Sequence, residues 1–166
     1  SLGFAMLRGF FLTCVLLGAI TLLNFIGLRI FNGSFALRES NGAVLALKSG
    51  FAFYSFQSNQ IERITNPESH LSNNRFNDGK CDPRGRFWSG TLSYEVKENA
   101  GSLYTLNSNL KVVQKLQNLT IPNGMAWDLQ KRAFYFIDSP DRTIYKFDYD
   151  AKTGQIENRT SFFTFS

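Results

Sequence analysis

The chain repeats itself at an interval of 46 residues. The stretch NDGKCDPRGRFWSGT, residues 77–91, aligns with NGMAWDLQKRAFYFID, residues 123–138, so that Asp82 falls on Asp128 and Arg86 on Arg132. ESNGAVLAL, residues 39–47, resembles the middle of both. A second half-unit recurs as GFAFYSF (50–56), GSLYTL (101–106) and RTIYKF (142–147), each followed by a turn and another strand-like run. Asn-Gly, Pro-Arg-Gly and Ser-Pro-Asp turn signals separate short apolar runs rich in Phe, Tyr, Val and Ile, which is the pattern of short antiparallel strands. A unit of about four strands in roughly 45 residues has the size of a propeller blade. The fold expected is therefore all-β, a partial β-propeller with about two to three blades visible. Propellers close as rings of typically four to eight blades, so such a chain is a piece of a ring or assembles with other copies. The competing reading is a β-sandwich whose strands resemble one another by chance.

Residues 1–33 differ in character and form a hydrophobic N-terminal segment ahead of the repeats. Between Arg8 and Arg29 run twenty uncharged residues, GFFLTCVLLGAITLLNFIGL, close to the length that an α-helix needs to cross a bilayer. Thr13, Thr21 and Asn24 dilute the run, and no small-residue cleavage site follows it. A membrane anchor through residues 9–28, an uncleaved signal, a read-through or truncation artefact, and a buried helix are all open readings. The first two would make the protein membrane-anchored or exported.

Composition sets the other bounds. With 43% hydrophobic and 19% charged residues in 166, the chain has the make-up of a globular protein. Its net charge of +5 is scattered, with KR at 131–132 and RGR at 84–86 the densest spots. No basic stripe of the kind that grips nucleic acid is present. Cys14 and Cys81 belong to no C-x-x-C or Cys/His pattern, which argues against a disulfide framework or a zinc knot. His70 stands alone in PESHLSNN and reads as a solvated loop residue. N-x-S/T triplets begin at Asn32, Asn118 and Asn158 and would matter only in a secretory pathway.

The stretch NNRFNDGK, residues 73–80, loads polar side chains onto the start of a strand that then turns apolar. Arg75 and Asn77 are two apart, so on an extended strand they point the same way. Asn123 begins the equivalent strand of the next repeat. In a propeller the innermost strand of each blade lines the central channel, so these starts would converge on one site. The plainer alternative is that Asn, Asp and Gly only build the turn entering the strand. Arg75 fits that alternative poorly, because a guanidinium suits gripping carboxylate or lactone oxygens.

These residues also carry a family resemblance. NNRFNDGKCDPRGRFWSGTL, GSLYTL, LTIPNGMAW, FYFIDSP and FDYDAKTGQIENR follow in the order and spacing of the family of senescence marker protein (regucalcin), gluconolactonase and luciferin-regenerating enzyme. Residues 34–166 resemble that family, and residues 1–33 do not. The resemblance implies a six-bladed propeller with one divalent cation near the top of the channel, a small-molecule lactone as substrate, and a cytoplasmic location. It implies that Arg75, Asn77 and Glu95 contact substrate and that Asn123, in the PNG triplet, is a metal ligand. The cation would be Ca, Mg, Mn or Zn, since the ligands are oxygens.

The family's other two metal ligands, an early Glu and an Asp that also serves as acid/base, find no counterpart between Ser1 and Ser166. A single neutral amide does not hold a divalent cation against water. Asp138 and Asp141 read as turn residues, and Asp148 and Asp150 as a solvated outer loop, so none of them is expected to replace the missing ligands. The function expected is divalent-metal-dependent hydrolysis of a small sugar lactone by the intact protein, with this chain carrying part of the site. The alternatives are a non-catalytic ligand- or calcium-binding propeller, or an inactive truncated remnant with exposed strand edges.

Overall fold

The apolar runs fold as twelve strands, here described from a computed structural model covering residues 33–166. All of them lie in the unit Asn32–Ser166. The first sheet holds β1 (Ser34–Arg38), β2 (Gly42–Leu47), β3 (Gly50–Ser55) and β4 (Ile61–Thr65). The second holds β5 (Asn74–Cys81), β6 (Phe87–Ser93), β7 (Gly101–Leu106) and β8 (Val112–Leu119). The third holds β9 (Pro122–Asp128), β10 (Ala133–Asp138), β11 (Thr143–Asp150) and β12 (Gln155–Thr164). Each sheet is antiparallel, with its four strands side by side in chain order. This is the up-and-down order of propeller blades, and it replaces the sandwich reading with three blades of a partial propeller. The 46-residue repeat is the hairpin β5–β6 answered by β9–β10, and the second recurring half-unit supplies β3, β7 and β11.

Burial follows position in the blade. Strands β2, β6 and β7 are buried along their whole length, and the polar side chains they carry are hydroxyls, Ser89, Thr91 and Ser93 in β6 and Ser102, Tyr104 and Thr105 in β7. The outermost strand of the third blade, β12, is exposed at nine of its ten residues and carries the polar run QIENRTS. Between the first and second blades pack Val44, Ala46, Phe51, Phe76, Phe87 and Tyr104, with the Phe51 and Phe76 rings 4.6 Å apart. Between the second and third pack Trp88, Leu103, Met125, Phe134, Phe136 and Phe147, with Trp88 and Phe134 5.1 Å apart. Aromatic side chains fill these wedges because each buries a large apolar area.

A polar clamp joins the second and third blades at the far end of β5. The Asp82 carboxylate, in a residue only 4% exposed, accepts hydrogen bonds from Arg86 Nε at 2.6 Å, Trp88 Nε1 at 3.0 Å and Tyr149 OH at 2.9 Å. Arg86 in turn donates to the carbonyls of Ala151 at 2.7 Å and Lys152 at 3.2 Å in the third blade. Burial works against the charged carboxylate, but the donors outweigh it and hold Asp82 below the usual carboxylate range. The neighbouring Cys81 thiol is pushed up to about 11, by burial first and by the Asp82 charge second, and is correspondingly inert. The repeat partners Asp128 and Arg132 do not copy the clamp. Asp128 instead accepts from the Lys131 backbone at 3.0 Å and pairs with Lys131 Nζ at 3.5 Å.

Two placements differ from the sequence reading. Asp138 is not a turn residue but the buried end of β10, where it accepts from the backbone N–H groups of Thr120 at 2.8 Å and Ile121 at 2.6 Å. Asp148 and Asp150 lie within β11 rather than in an outer loop, because β11 runs on to pair with the start of β12. Asp141 does sit in the short 3₁₀ turn Ser139–Asp141. His70 is exposed in the connection between β4 and β5. No helix among the described residues is long and apolar enough to cross a membrane. The apolar run at residues 9–28, Cys14 and Asn32 lie outside the described residues.

Candidate functional site

Strands β5 and β9 are the first strands of successive blades, and their N-terminal ends lie beside each other. Their close approach depends on Gly90, in β6. A Cβ there would stand 2.5 Å from Cβ and Cγ of Pro122. With hydrogen in that place, Pro122 and then Asn123 are carried up against β5.

Three polar side chains of the mouth form a hydrogen-bonded row. Arg75 Nη1 donates to Asn77 Oδ1 at 3.2 Å and to the Phe76 carbonyl at 3.0 Å. Asn77 Nδ2 donates to Asn123 Oδ1 at 2.9 Å and to the Pro122 carbonyl at 3.0 Å. Asn123 Nδ2 donates to Ser139 Oγ at 2.9 Å. The sequence expectation that Arg75, Asn77 and Asn123 converge therefore matches their placement. Ser139 extends the row but was not singled out, since the Ser-Pro-Asp motif reads only as a turn.

Asp78 also belongs to the mouth. Strict alternation would turn it away from Asn77, but the pairing of β5 with β6 shifts register between Phe76 and Gly79. This bulge lets both neighbours reach β9, as bulges re-aim side chains. Asp78 Oδ2 accepts the Gly124 N–H at 2.9 Å, and its Oδ1 accepts the Gly79 N–H at 2.9 Å. Gly124 sits at φ +57°, a left-handed conformation that suits glycine. In sequence, Asp78 is indistinguishable from the Asp of an ordinary Asn-Asp-Gly turn.

Behind the row, a buried carboxylate braces the start of β5. Glu68, 6% exposed, accepts from Thr91 Oγ1 at 2.8 Å, Asn74 Nδ2 at 3.0 Å and Tyr104 OH at 3.1 Å. Burial, followed by the Glu68 contact among other influences, pushes the Tyr104 hydroxyl up to about 12, so it stays a donor. Glu68 thereby fixes Asn74, the residue before Arg75. Nothing in PESHLSNN sets Glu68 apart from the other polar residues of that connection.

Glu95 is placed differently from the other three candidates. Its Oε1 accepts from Asn73 Nδ2 at 3.2 Å, and it lines a surface cleft of about 660 Å³ together with His70, Lys97 and Glu98. Its neighbour Tyr94 is the residue nearer the row, with the Arg75 guanidinium carbon 5.6 Å from its ring centroid.

As a cation site the described residues are incomplete. Asn123 offers one amide oxygen, already accepting from Asn77. No three His, Cys, Asp or Glu side chains gather closely enough among the described residues to hold a metal ion. These residues do not fit a divalent cation by themselves. What they do present is a neutral amide pair beside a guanidinium, suited to orienting an oxygen-rich small molecule.

Sequential four-stranded blades with a polar row across the first strands of two of them define a partial β-propeller. The chain belongs to the family described as the SMP-30/Gluconolactonase/LRE-like region, which it matches over residues 18–166. It is 39% identical over 136 residues to regucalcin of Xenopus laevis, covering 79% of this chain and 46% of the relative. To regucalcin of Homo sapiens it is 37% identical over 133 residues, covering 77% and 44%. Among solved structures it is similar to a luciferin-regenerating enzyme, at a TM-score of 0.73 and 38% identity over 79% of this chain and 46% of that one. It is also similar to the calcium-binding protein regucalcin of Agrobacterium tumefaciens, at a TM-score of 0.75 and 25% identity over 81% and 46%. The chain thus spans about half the length of the relatives it matches.

Proposed function

We propose that the whole protein hydrolyses a small sugar lactone, with Arg75, Asn77 and Asn123 forming one wall of the substrate site. The observation that carries this reading is the row of hydrogen bonds running from Arg75 through Asn77 to Asn123 across two blades. Its support is membership of a family whose description includes gluconolactonase. In the hydrolysis, water adds to the lactone carbonyl carbon, the ring C–O bond breaks, and the ring oxygen takes a proton to leave an open hydroxy acid. Negative charge grows on the carbonyl oxygen in the first step, where a preorganised guanidinium such as Arg75 stabilises it. Asn77 and Asn123 hold the substrate's oxygens in register, which lowers the entropic part of the barrier. Glu95 contacts substrate from the Asn73 side in this reading.

The family resemblance adds a divalent cation, Ca, Mg, Mn or Zn, with Asn123 as one of its ligands and carboxylates from the rest of the protein as the others. Bound there, such a cation would supply Lewis-acid polarisation. The test is acid release from glucono-1,5-lactone by the whole protein, with each cation in turn and after chelation. Hydrolysis that needs a cation is the expected result. No hydrolysis with any of the four cations would overturn the reading, and cation binding without turnover would favour a non-catalytic calcium-binding propeller.

A further inference from the structure

Two cations from different blades reach one phenol ring at the channel mouth. Lys48 occupies the turn between β2 and β3 in the first blade, and its Nζ stands 4.9 Å from the centroid of the Tyr94 ring. Arg75, on β5 in the second blade, places its guanidinium carbon 5.6 Å from the same centroid. Both residues also line one cavity of about 10 Å³, together with Asn66, Glu68 and Asn74. That is room for about one water molecule.

Like charges drawn to one ring repel unless an anion lies near them. Among the described residues, neither Lys48 nor Arg75 belongs to an ion pair. Among the described residues, Glu68 lines the same cavity and sets one negative charge against the two positive ones, its oxygens held by Thr91, Asn74 and Tyr104, while Glu95 accepts from Asn73. Among the described residues, Nη1 alone of the Arg75 nitrogens donates a hydrogen bond, so the other donors of its planar fork face no protein acceptor there. Contact with the Tyr94 face helps to hold both cations in place before anything binds. The end of the polar row remote from Asn123 is therefore positively charged and preorganised.

We propose that Lys48 and Arg75 form an anion subsite, so that the lactone taken by this protein carries an anionic substituent, a carboxylate or a phosphate. The substituent lies on the Lys48 side of Arg75 beside Tyr94, and the ester lies on its other side toward Asn77 and Asn123, so that Arg75 faces both groups and Lys48 the substituent alone. Lys48 is then a specificity-determining residue. This inference rests on the lactonase reading for the ester end and on the Lys48–Tyr94–Arg75 geometry for the charged end.

The experiment compares kcat/KM of the whole protein for neutral glucono-1,5-lactone, carboxylate-bearing glucaro-1,4-lactone and a phosphorylated gluconolactone. It does so in the wild type, Lys48→Gln and Lys48→Arg. Lys48 is exposed in a tight turn, so these substitutions leave the blade core intact. The wild type should favour an anionic lactone about tenfold or more. Lys48→Gln should cut that preference about fivefold or more through KM, and Lys48→Arg should restore most of it. Whichever anionic lactone gives the larger preference identifies the substituent.

Calorimetric binding of the glucarate dianion, which needs no turnover, should weaken by a similar factor in Lys48→Gln. Glucarate binding that depends on Lys48 in a protein opening no lactone would overturn the lactonase reading and uphold the subsite. Hydrolysis with no preference for charge, or with a preference indifferent to Lys48, would overturn the subsite alone.

Discussion

Asn77 donates its side-chain amide to the Oδ1 of Asn123 at 2.9 Å, and the two residues are 46 positions apart, one full repeat. The next pair repeats the relationship, since Asp78 accepts the backbone N–H of Gly124 at 2.9 Å. Equivalent positions of successive blades are neighbours around the channel, so a repeat that begins with a polar residue builds a polar ring segment. Substitutions in this row should alter binding before they alter folding, because its members are only partly buried.

Arg75→Ala in the whole protein removes the guanidinium from the row and from the ring of Tyr94. It should lower kcat/KM for lactone hydrolysis by about tenfold or more, equivalent to roughly 1.4 kcal/mol of transition-state stabilisation. Steady-state kinetics matching the wild type would remove Arg75 from the site.

Asn123→Ala removes the acceptor for Asn77 and the donor to Ser139. If Asn123 is a cation ligand in the whole protein, a calorimetric titration with Mn²⁺ or Ca²⁺ should show affinity weakened by about tenfold or more. An unaltered titration would confine Asn123 to orienting substrate.

Asp82→Asn breaks the clamp between the second and third blades and leaves Arg86, whose side chain is 14% exposed, without its anion. A loss of about 3–5 kcal/mol is expected, read as a lower urea midpoint. The pH dependence has a definite sign. Asp82 titrates lower when folded than its ordinary value of 3.8, so its stabilisation is complete above that value and is lost as pH falls through the folded one. Below about pH 4 the wild type should therefore lose stability more steeply than Asp82→Asn.

Gly90→Ala places a methyl group 2.5 Å from two side-chain carbons of Pro122. Overpacking of this kind costs about 1–3 kcal/mol. Because the displaced residue precedes Asn123, KM for lactone should rise alongside the fall in thermal midpoint. A lower midpoint with KM unmoved would show that β9 absorbs the methyl group without shifting the mouth.

Much of this protein was legible in its residues. The 46-residue interval, the turn signals and the short apolar runs determine the strands, their grouping into blades and the equivalence of Asn77 with Asn123, because all of these follow from local periodicity and self-similarity. Arg75 and Asn77 share a direction for the same local reason. Tertiary structure alone decided the rest. A bulge between Phe76 and Gly79 turned Asp78 toward β9, and the length of β11 drew Asp148 and Asp150 into a strand. Asp138 became a buried acceptor because the connection from β8 to β9 brings two N–H groups to it. Glu68, Lys48 and Tyr94 meet near Arg75 only because separate segments arrive there in the folded chain. Repeats and alternation record what a residue does relative to its near neighbours along the chain, whereas which side chains face one another across blades depends on bulges and close approaches set by the packing of whole sheets.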